Sequence, residues 1–596
     1  MDSASVGSDV DSILMDRYPD IAFRLHFAPC EPLNDSIHTE NSSEDIQRFL
    51  AARDLEDVEI FYLYGLGVGA HYQALKNWLS EKNERLLIII EEDLSVIAAF
   101  LICACAEELL VHPQVHLRYV SSSKELSPLM KECVETFPSE RVEIAAIASY
   151  AKRKKSTFRR LRMQLYRYTA VCHALMTEAI FSHKLLSNLI QNILKWPGSF
   201  FANNLKNQFK GVPAIICGAG PSLAKTFDLL KKVEDRALII AGGSTISSLS
   251  NQGIIPHIGI AMDPNAEEFD RLKAASSFEM PLIYGARLEA NVFNTCNGER
   301  GYLLSDTGGP CETHFEKALN LQGEAIGPEL GAEAFSVTTL CIALAVEMGC
   351  DPIILNGIDL AYTGMQRYAH GVMSSSKIYL DEVKQMKKAS ERLIKRKDIY
   401  GNPCHTLVKW VMESECIGAY AKQHRTCRFI NATAGGLGFP KIPNQPLSEI
   451  MEDHFRESQD LKAALHTLFQ NNKMTCRQEE IHKEIKEIAE SLSRLHGIAE
   501  EILKETHRVQ ANPSLDWPTG KMTILEIDFQ EEKAFTALFL ALGPSLDRLL
   551  NRTQYLSPTL SEEEKRRMKL ERQRAKWTQF KEMIEKEKEF FLTYCK

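Results

Sequence analysis

Several short polar stretches in the middle of this chain carry the residue types that bind anions and move protons. The first is Gly218-Ala219-Gly220-Pro221-Ser222, directly after the apolar run Ala214–Cys217. A strand feeding a glycine turn and a helix N-terminus directs unpaired N–H groups and the helix dipole at one spot, which is an anion site. Pro221 suits the first position of such a helix, where its missing N–H costs nothing. Further stretches follow other apolar runs: Gly242-Gly243-Ser244-Thr245, Asp263-Pro264, Ser305 to Pro310, Gly357-Ile358-Asp359-Leu360-Ala361-Tyr362, Tyr368-Ala369-His370 and Asn431-Ala432-Thr433. A single aspartate after a strand forms a turn more often than it catalyses. The force of the pattern lies in recurrence.

The elements that must position these residues are strands alternating with helices. Ala214–Cys217, Ala237–Ala241, Ile258–Met262, Leu282–Gly285, Tyr302–Leu304, Pro352–Asn356 and Arg428–Ile430 read as strands. Such alternation predicts a parallel sheet with helices on both faces. Ligands then bind beyond the carboxyl ends of the strands, where all the polar stretches fall. Two nucleotide signatures are excluded. The first loop lacks the Lys and Ser/Thr of a P-loop. It is not an NAD fingerprint either: Leu223 replaces the third glycine, and the second strand ends in Ala241-Gly242-Gly243-Ser244 rather than an acid.

The expected fold class is α/β, with Rossmann-like parallel sheets in N-terminal and central domains and a C-terminal α-helical region. The expected divisions are 1–150, a helical bridge over 151–210, a central domain over 211–445 and helices over 446–596. Residues 1–50 read as an acidic lead-in with one strand at Ile21–Phe27. The N-terminal unit has a strand at Glu59–Tyr64, the turn Gly65-Leu66-Gly67-Val68-Gly69, a helix over Tyr72–Leu79, and the strand Leu86–Ile90 ending in Glu91-Glu92-Asp93. A glycine turn with a carboxylate about 25 residues on suits a dinucleotide or S-adenosyl ligand, and also a scaffold that keeps only the fold. Lys152, Arg153, Lys154, Lys155, Arg159, Arg160, Arg162 and Arg167 form a solvated helix face or an electrostatic lip for an anion. Near the C-terminus, Ile481, Ile485, Ile488, Leu492, Leu495, Ala499 and Ile502 form a helix-packing seam. Phe535, Leu538, Phe539 and Leu542 form another stripe, and Trp577, Phe580, Ile584 and Phe591 a third. They suit a bundle within the chain or a homo-oligomer. Ser561 and Glu564 form a capping box.

Composition sets outer limits. The chain has 596 residues, 44% hydrophobic and 25% charged, an ordinary globular balance. A net charge of -9 argues against a general nucleic-acid binder. Fifteen cysteines without a CxxC pair suggest neither a zinc site nor a disulfide framework, and suit a reduced cytoplasm. The longest apolar run, Val96 to Ala106, is too short to span a bilayer, and no signal peptide is expected.

Gly218-Ala219-Gly220-Pro221-Ser222-Leu223, Asp263-Pro264, Gly357-Ile358-Asp359-Leu360-Ala361-Tyr362, His370 and Asn431-Ala432-Thr433 together resemble a known family. The sequence resembles the motility-associated factor (Maf) proteins of bacteria, glycosyltransferase-like proteins whose central domain is shared with the archaeal MptE-like 6-hydroxymethylpterin diphosphokinases. The central resemblance covers about residues 195–445. It implies a transferase with a nucleotide-activated substrate. One form moves a nonulosonic sugar from a cytidine nucleotide to a hydroxyl, such as that of a protein Ser or Thr. The other moves pyrophosphate from ATP with magnesium. A protein that binds a nucleotide or partner without catalysis is the third form. Under the resemblance, Gly218, Gly220, Pro221, Ser222, Gly243, Ser244 and Asp263 would bind nucleotide and phosphate. Ser336, Tyr362, Asn431 and Thr433 would contact substrate. His370 would be the general base, imidazole being the side chain that ordinarily titrates nearest neutrality. Asp359 would orient that histidine, and Asp263 and Asp359 are the natural magnesium ligands. The chain departs from the family pattern at Ala434, at Ala334-Phe335 and over Gly364–Ala369.

Overall fold

The computed structural model describes residues 3–27, 43–122, 124–276, 278–330, 336–372, 377–379, 381, 383, 388–455, 458–540, 542–543, 546 and 561–595. They fall into two compact units. The first comprises Met1–Leu175, Lys387–Glu391 and Pro544–Gln573; the second comprises Met176–Met386, Arg392–Gly543 and Arg574–Lys596.

The first unit holds strands β1 (Ile60–Tyr64), β2 (Leu86–Glu91), β3 (Val115–Tyr119) and β4 (Val142–Ala146). They form an all-parallel sheet in the order β3-β2-β1-β4. β1 and β2 are buried along their whole length, as expected for apolar strands covered on both faces. The expected strand at Ile21–Phe27 is instead the end of a helix, Pro19–Phe27. Pro19 starts that helix, and burial of Tyr18, Ile21 and Ala22 follows helical spacing rather than alternation.

The second unit is built on β5 (Phe200–Phe201), β6 (Ala214–Cys217), β7 (Leu238–Gly242), β8 (Ile258–Ala261), β9 (Leu282–Tyr284), β10 (Arg300–Tyr302), β11 (Ile353–Asn356) and β14 (Phe429–Asn431). The order across the sheet is β14-β11-β6-β7-β8-β9-β10-β5, and every pairing is parallel. The chain winds one way from β6 to β10, then returns to place β11 on the other side of β6. The switch point therefore lies between β6 and β11, where doubly wound sheets open a crevice. The apolar helix Val337–Glu347 packs across β6, β7, β8 and β11. Gly242 has no side chain because Val337 fills that space. A charged hairpin of β12 (Leu393–Lys397) and β13 (Pro403–Leu407) stands outside the sheet.

The C-terminal region is helical. The seam from Ile481 to Ile502 lies on the helix Gln478–Ala511, and its expected residues are all buried. Phe529, Phe539, Trp577 and Phe580 form an aromatic cluster within the same unit. Ser561 and Glu564 form the expected reciprocal cap. No helix among the described residues is long and apolar enough to cross a membrane.

Candidate active site at the carboxyl edge

At the switch point the loops after β6 and β11 are bolted together. Gly218 N–H donates to Asn356 O and Gly220 N–H to Gly357 O, both at 2.8 Å. Both glycines are required for close approach. A side chain on Gly218 would meet Gly357 O and Ile358, and one on Gly220 would meet Gly357 O and the Asp359 carboxylate. Gly357 has φ +68, which favours glycine on conformation alone. The expected helix after the loop is a 3₁₀ turn, Pro221–Lys225, with Pro221 at its start. Its N-terminal anion position is filled from within the chain. Asp359 Oδ1 accepts from Ser222 Oγ at 2.6 Å and from Ser222 N–H at 3.3 Å. Asp359 Oδ2 is buried, with Thr363 close enough to act on its charge. Burial raises the Asp359 pKa against the lowering pull of Ser222 and Thr363.

Asn431 and Thr433 hold the next loop. Asn431 Oδ1 accepts from Thr433 N–H, and its Nδ2 donates to Asn444 Oδ1 at 2.7 Å. Thr433 Oγ1 accepts from Ile358 N–H, so β14 is tied to the loop that carries Asp359. Ala434 O accepts from Lys225 Nζ. Tyr362 is buried against Trp410, next to the hairpin. Ser336 caps the helix Val337–Glu347 and donates to Glu413 Oε1 at 2.7 Å. Ala334 and Phe335 lie outside the described residues.

His370 crosses this edge. Ala369 N–H donates to Ala219 O at 2.9 Å. His370 O accepts from Ser248 Oγ at 2.7 Å, and Gly371 O from Asn251 Nδ2 at 2.8 Å. The backbone on both sides of His370 is thus fixed to the β6 loop and to the helix Ser244–Ser250 that follows β7, while the residue itself is exposed. Asp359 accepts its hydrogen bonds from Ser222, and none links it to His370.

After β8, Asp263 Oδ1 accepts from Asn265 N–H and Nδ2, and Oδ2 lies 3.4 Å from Arg271 Nη1. The same guanidinium nitrogen donates to Glu268 Oε2 at 3.0 Å. Glu268 was not legible as a site residue. It sits in the first turn of the helix Ala266–Leu272, where an acid is ordinary because of the helix dipole. Only its depth sets it apart: it is 1% exposed, and Oε1 has no partner. Burial, then the nearby Asp263 charge, push its pKa up to about 7 against the pull of Arg271. Gly243 stands next to it. A side-chain carbon on Gly243 would lie 3.6 and 3.7 Å from the two Glu268 oxygens.

Magnesium is the metal that the pyrophosphoryl-transfer form would need. Among the described residues no group of three or more His, Cys, Asp or Glu is placed to hold an ion. Asp263 is committed to Asn265 and Arg271, and Asp359 Oδ1 to Ser222. As placed, these carboxylates are taken up by protein partners rather than grouped around an ion. An open cleft of about 890 Å³ lies elsewhere in the unit, lined by Asn203, Lys206, Glu324, Glu329, Tyr420 and His424 among others. Lys206 there pairs with Glu324 and Glu347, and His424 with Glu329.

In the first unit, the carboxylate expected to meet a ribose is used internally. Glu91 accepts from the amides of Leu66, Glu92 and Asp93 and from the Tyr150 hydroxyl. The Gly65 and Gly69 turn is filled by Ile147, Tyr150, Phe100 and Cys105. Lys154, from the basic stretch, pairs with Glu92 at 2.8 Å.

Comparison with known proteins agrees with the resemblance read from the central motifs. Residues 187–365 match the family described as 6-hydroxymethylpterin diphosphokinase MptE-like. That span runs from the helix Ser182–Ile193 through β11 to just beyond Asp359. No curated protein matches the chain. Among solved structures, a MAf glycosyltransferase from Magnetospirillum magneticum AMB-1 is similar over 100% of this chain and 98% of that chain, at 13% identity and a TM-score of 0.48.

Proposed function

We propose that this chain is a nucleotide-dependent transferase working at the carboxyl edge of its eight-stranded sheet. The carrying observation is that the MptE-like match contains both crossed loops of the switch point, Gly218–Ser222 and Gly357–Asp359. The leading form transfers a nonulosonic sugar from a cytidine nucleotide to a hydroxyl acceptor, such as a protein Ser or Thr. The extra N-terminal and C-terminal elements favour this form over a compact diphosphokinase. His370 takes the proton from the acceptor hydroxyl. Asp359 positions the β6 loop through Ser222 rather than touching the histidine. Gly243, Ser244 and Asp263 flank the nucleotide, while Asn431, Thr433, Tyr362 and Ser336 shape the loops around the substrate. The second form, pyrophosphoryl transfer from ATP, is favoured by the description of the matching family. Magnesium would then arrive on the nucleotide phosphates, as it does where the protein offers few ligands.

A thermal-shift panel of CMP, CDP, ATP and their sugar derivatives, with and without magnesium, tests this reading. A ligand bound only by the native state raises stability by RT ln(1 + [L]/Kd), about 2.7 kcal/mol at a hundredfold excess over Kd. A shift with cytidine nucleotides supports the leading form. A magnesium-dependent shift with ATP alone moves the assignment to the second. No shift with any of them overturns both and leaves a non-catalytic protein.

A further inference from the structure

Both forms of the proposed reaction expel the same kind of group. Transfer of a sugar from a cytidine monophosphate donor releases CMP, and transfer of pyrophosphate from ATP releases AMP. In each, a bond to a nucleoside monophosphate oxygen breaks and its electron pair stays on that oxygen. The site therefore has to stabilise a developing phosphate anion, whichever substrate it takes.

We propose that Glu268 is a second proton-transfer residue of this edge, giving its proton to the departing nucleoside monophosphate from Oε1. This rests on the reading above. The acceptor oxygen forms its bond to the transferred carbon or phosphorus, and the hydroxyl proton passes to His370. The bond from that centre to the nucleotide oxygen breaks, and the oxygen takes the proton held on Glu268. His370 then gives its proton to solvent, and a proton from solvent restores Glu268.

Three observations on geometry carry the assignment. First, Glu268 Oε2 is fixed by Arg271, which leaves Oε1 as the one oxygen of this carboxyl group that is buried without a partner. An unsatisfied buried polar atom is rare and calls for a reason. Second, the neighbouring residue is Gly243, so no side chain stands between the carboxyl group and the loop after β7. Third, the helix after that loop holds the His370 segment through Ser248 and Asn251 and is tied to Arg271 O by Ser247 Oγ. The same short helix thus holds the segments carrying both proton-transfer residues. Arg271, shared with Asp263 and close enough to feel Tyr368, supplies a cation beside the leaving group.

The charged and titratable groups around Glu268 are few. Asp263 and Arg271 come from its own segment, and the Cys296 thiol from beyond the turn Ala290–Asn294. The helix Ser244–Ser250 offers only Ser and Thr hydroxyls. Burial and Asp263 hold the proton on Glu268 up to about pH 7, so the acid form is present near neutrality.

Calorimetric titration of the full chain with CMP and with AMP tests this, run at pH 7 in two buffers of different ionisation enthalpy. The difference gives the protons taken up on binding. Wild type is expected to take up as much as about half a proton more than Glu268→Gln, because phosphate binding completes the protonation of a half-titrated carboxyl group. Glu268→Asp, which keeps the acid, should retain uptake. Growth of the protonated-carboxyl infrared band when CMP or AMP is added to wild type at pH 7.5 gives the same answer without a variant. Binding with equal uptake in wild type and Glu268→Gln, or no such band, overturns the role of Glu268 and leaves the transferase reading standing. Failure of wild type to bind either nucleotide overturns both.

Discussion

Ser222 and Asp359, 137 positions apart, share a doubled hydrogen bond in which one carboxylate oxygen accepts both the hydroxyl and the amide of the serine. The carboxylate occupies the place where the N-terminus of the turn after β6 would otherwise receive an external anion. It locks the switch point. Ser222→Ala removes the shorter bond and leaves Asp359 Oδ1 with only the longer one from the backbone amide. A hydrogen bond to a charged group contributes about 1.5–3 kcal/mol. The expected loss is in that range, read by chemical denaturation at pH 7. A variant as stable as wild type would show that the pair contributes nothing net.

Gly220 tests the same junction by volume. A methyl group there runs into the Asp359 carboxylate and Gly357 O, neither of which is the free end of a flexible chain. Overpacking of this kind costs about 1–3 kcal/mol. Gly220→Ala should therefore destabilise the protein while Gly198→Ala, whose added carbon meets nothing within 4 Å, stays within about 0.5 kcal/mol of wild type. Equal unfolding curves for the two variants would refute the close approach.

Glu312 gives a pH signature. Buried beneath the loop after β10, it accepts from Ala286 N–H at 2.9 Å and Gly308 N–H at 2.6 Å. Burial first, then the Glu316 charge, push its pKa up to about 7 from 4.5. The folded state thus holds this proton more tightly than the unfolded chain. Its stabilising effect is complete below about pH 4.5 and is lost as pH rises through 7, a swing of up to about 3 kcal/mol from the difference in pKa. Glu312→Gln cannot titrate. Its stability relative to wild type should rise between pH 5 and pH 8, whatever its absolute offset. A constant difference across that interval would contradict the shift.

The central strands were readable because each is an apolar run closed by a glycine or polar turn. Parallel strands buried on both faces leave no other pattern. β5 was missed: Phe200-Phe201 is too short to show a period and follows a helical stretch. The hairpin of β12 and β13 was missed because Leu393–Lys397 is mostly exposed and charged, the composition of a loop. The site residues were legible as a set of loops, since topology brings every carboxyl end to one edge. Their individual partners were not. Nothing local says that Asp359 turns to Ser222 rather than to His370, because that choice depends on packing between strands distant in sequence. Glu268 looks in sequence like any acid in a first helical turn; only tertiary burial separates it from Glu267.

In the first unit, Glu91 is predicted to be structural. Its carboxylate gathers the Leu66, Glu92 and Asp93 amides and the Tyr150 hydroxyl, leaving no oxygen free for a ribose. Glu91→Ala orphans buried donors at about 1–3 kcal/mol each, so a loss of at least about 3 kcal/mol is expected. Tyr150→Phe removes one donor to the carboxylate and should cost about 1.5–3 kcal/mol. Titration with NAD or S-adenosylmethionine, followed by tyrosine and tryptophan fluorescence, should show no saturable binding that depends on Glu91. Such binding would reopen this unit as a second site.

His370→Ala separates chemistry from architecture. The hydrogen bonds that fix this segment use the backbone oxygens of His370 and Gly371 and the amide of Ala369, none of which the substitution removes. The residue is exposed, so truncation opens no cavity. The melting temperature should therefore match wild type within a degree or so, the usual result at an exposed site. General-base help contributes about 10²- to 10⁴-fold in rate, and nucleoside monophosphate release in the presence of acceptor should fall by that factor. CMP affinity should hold, because the base meets the acceptor rather than the nucleotide. Wild-type turnover in His370→Ala would remove the histidine from the reaction and leave proton transfer at this edge to Glu268. Loss of CMP binding together with turnover would mean instead that His370 holds the nucleotide.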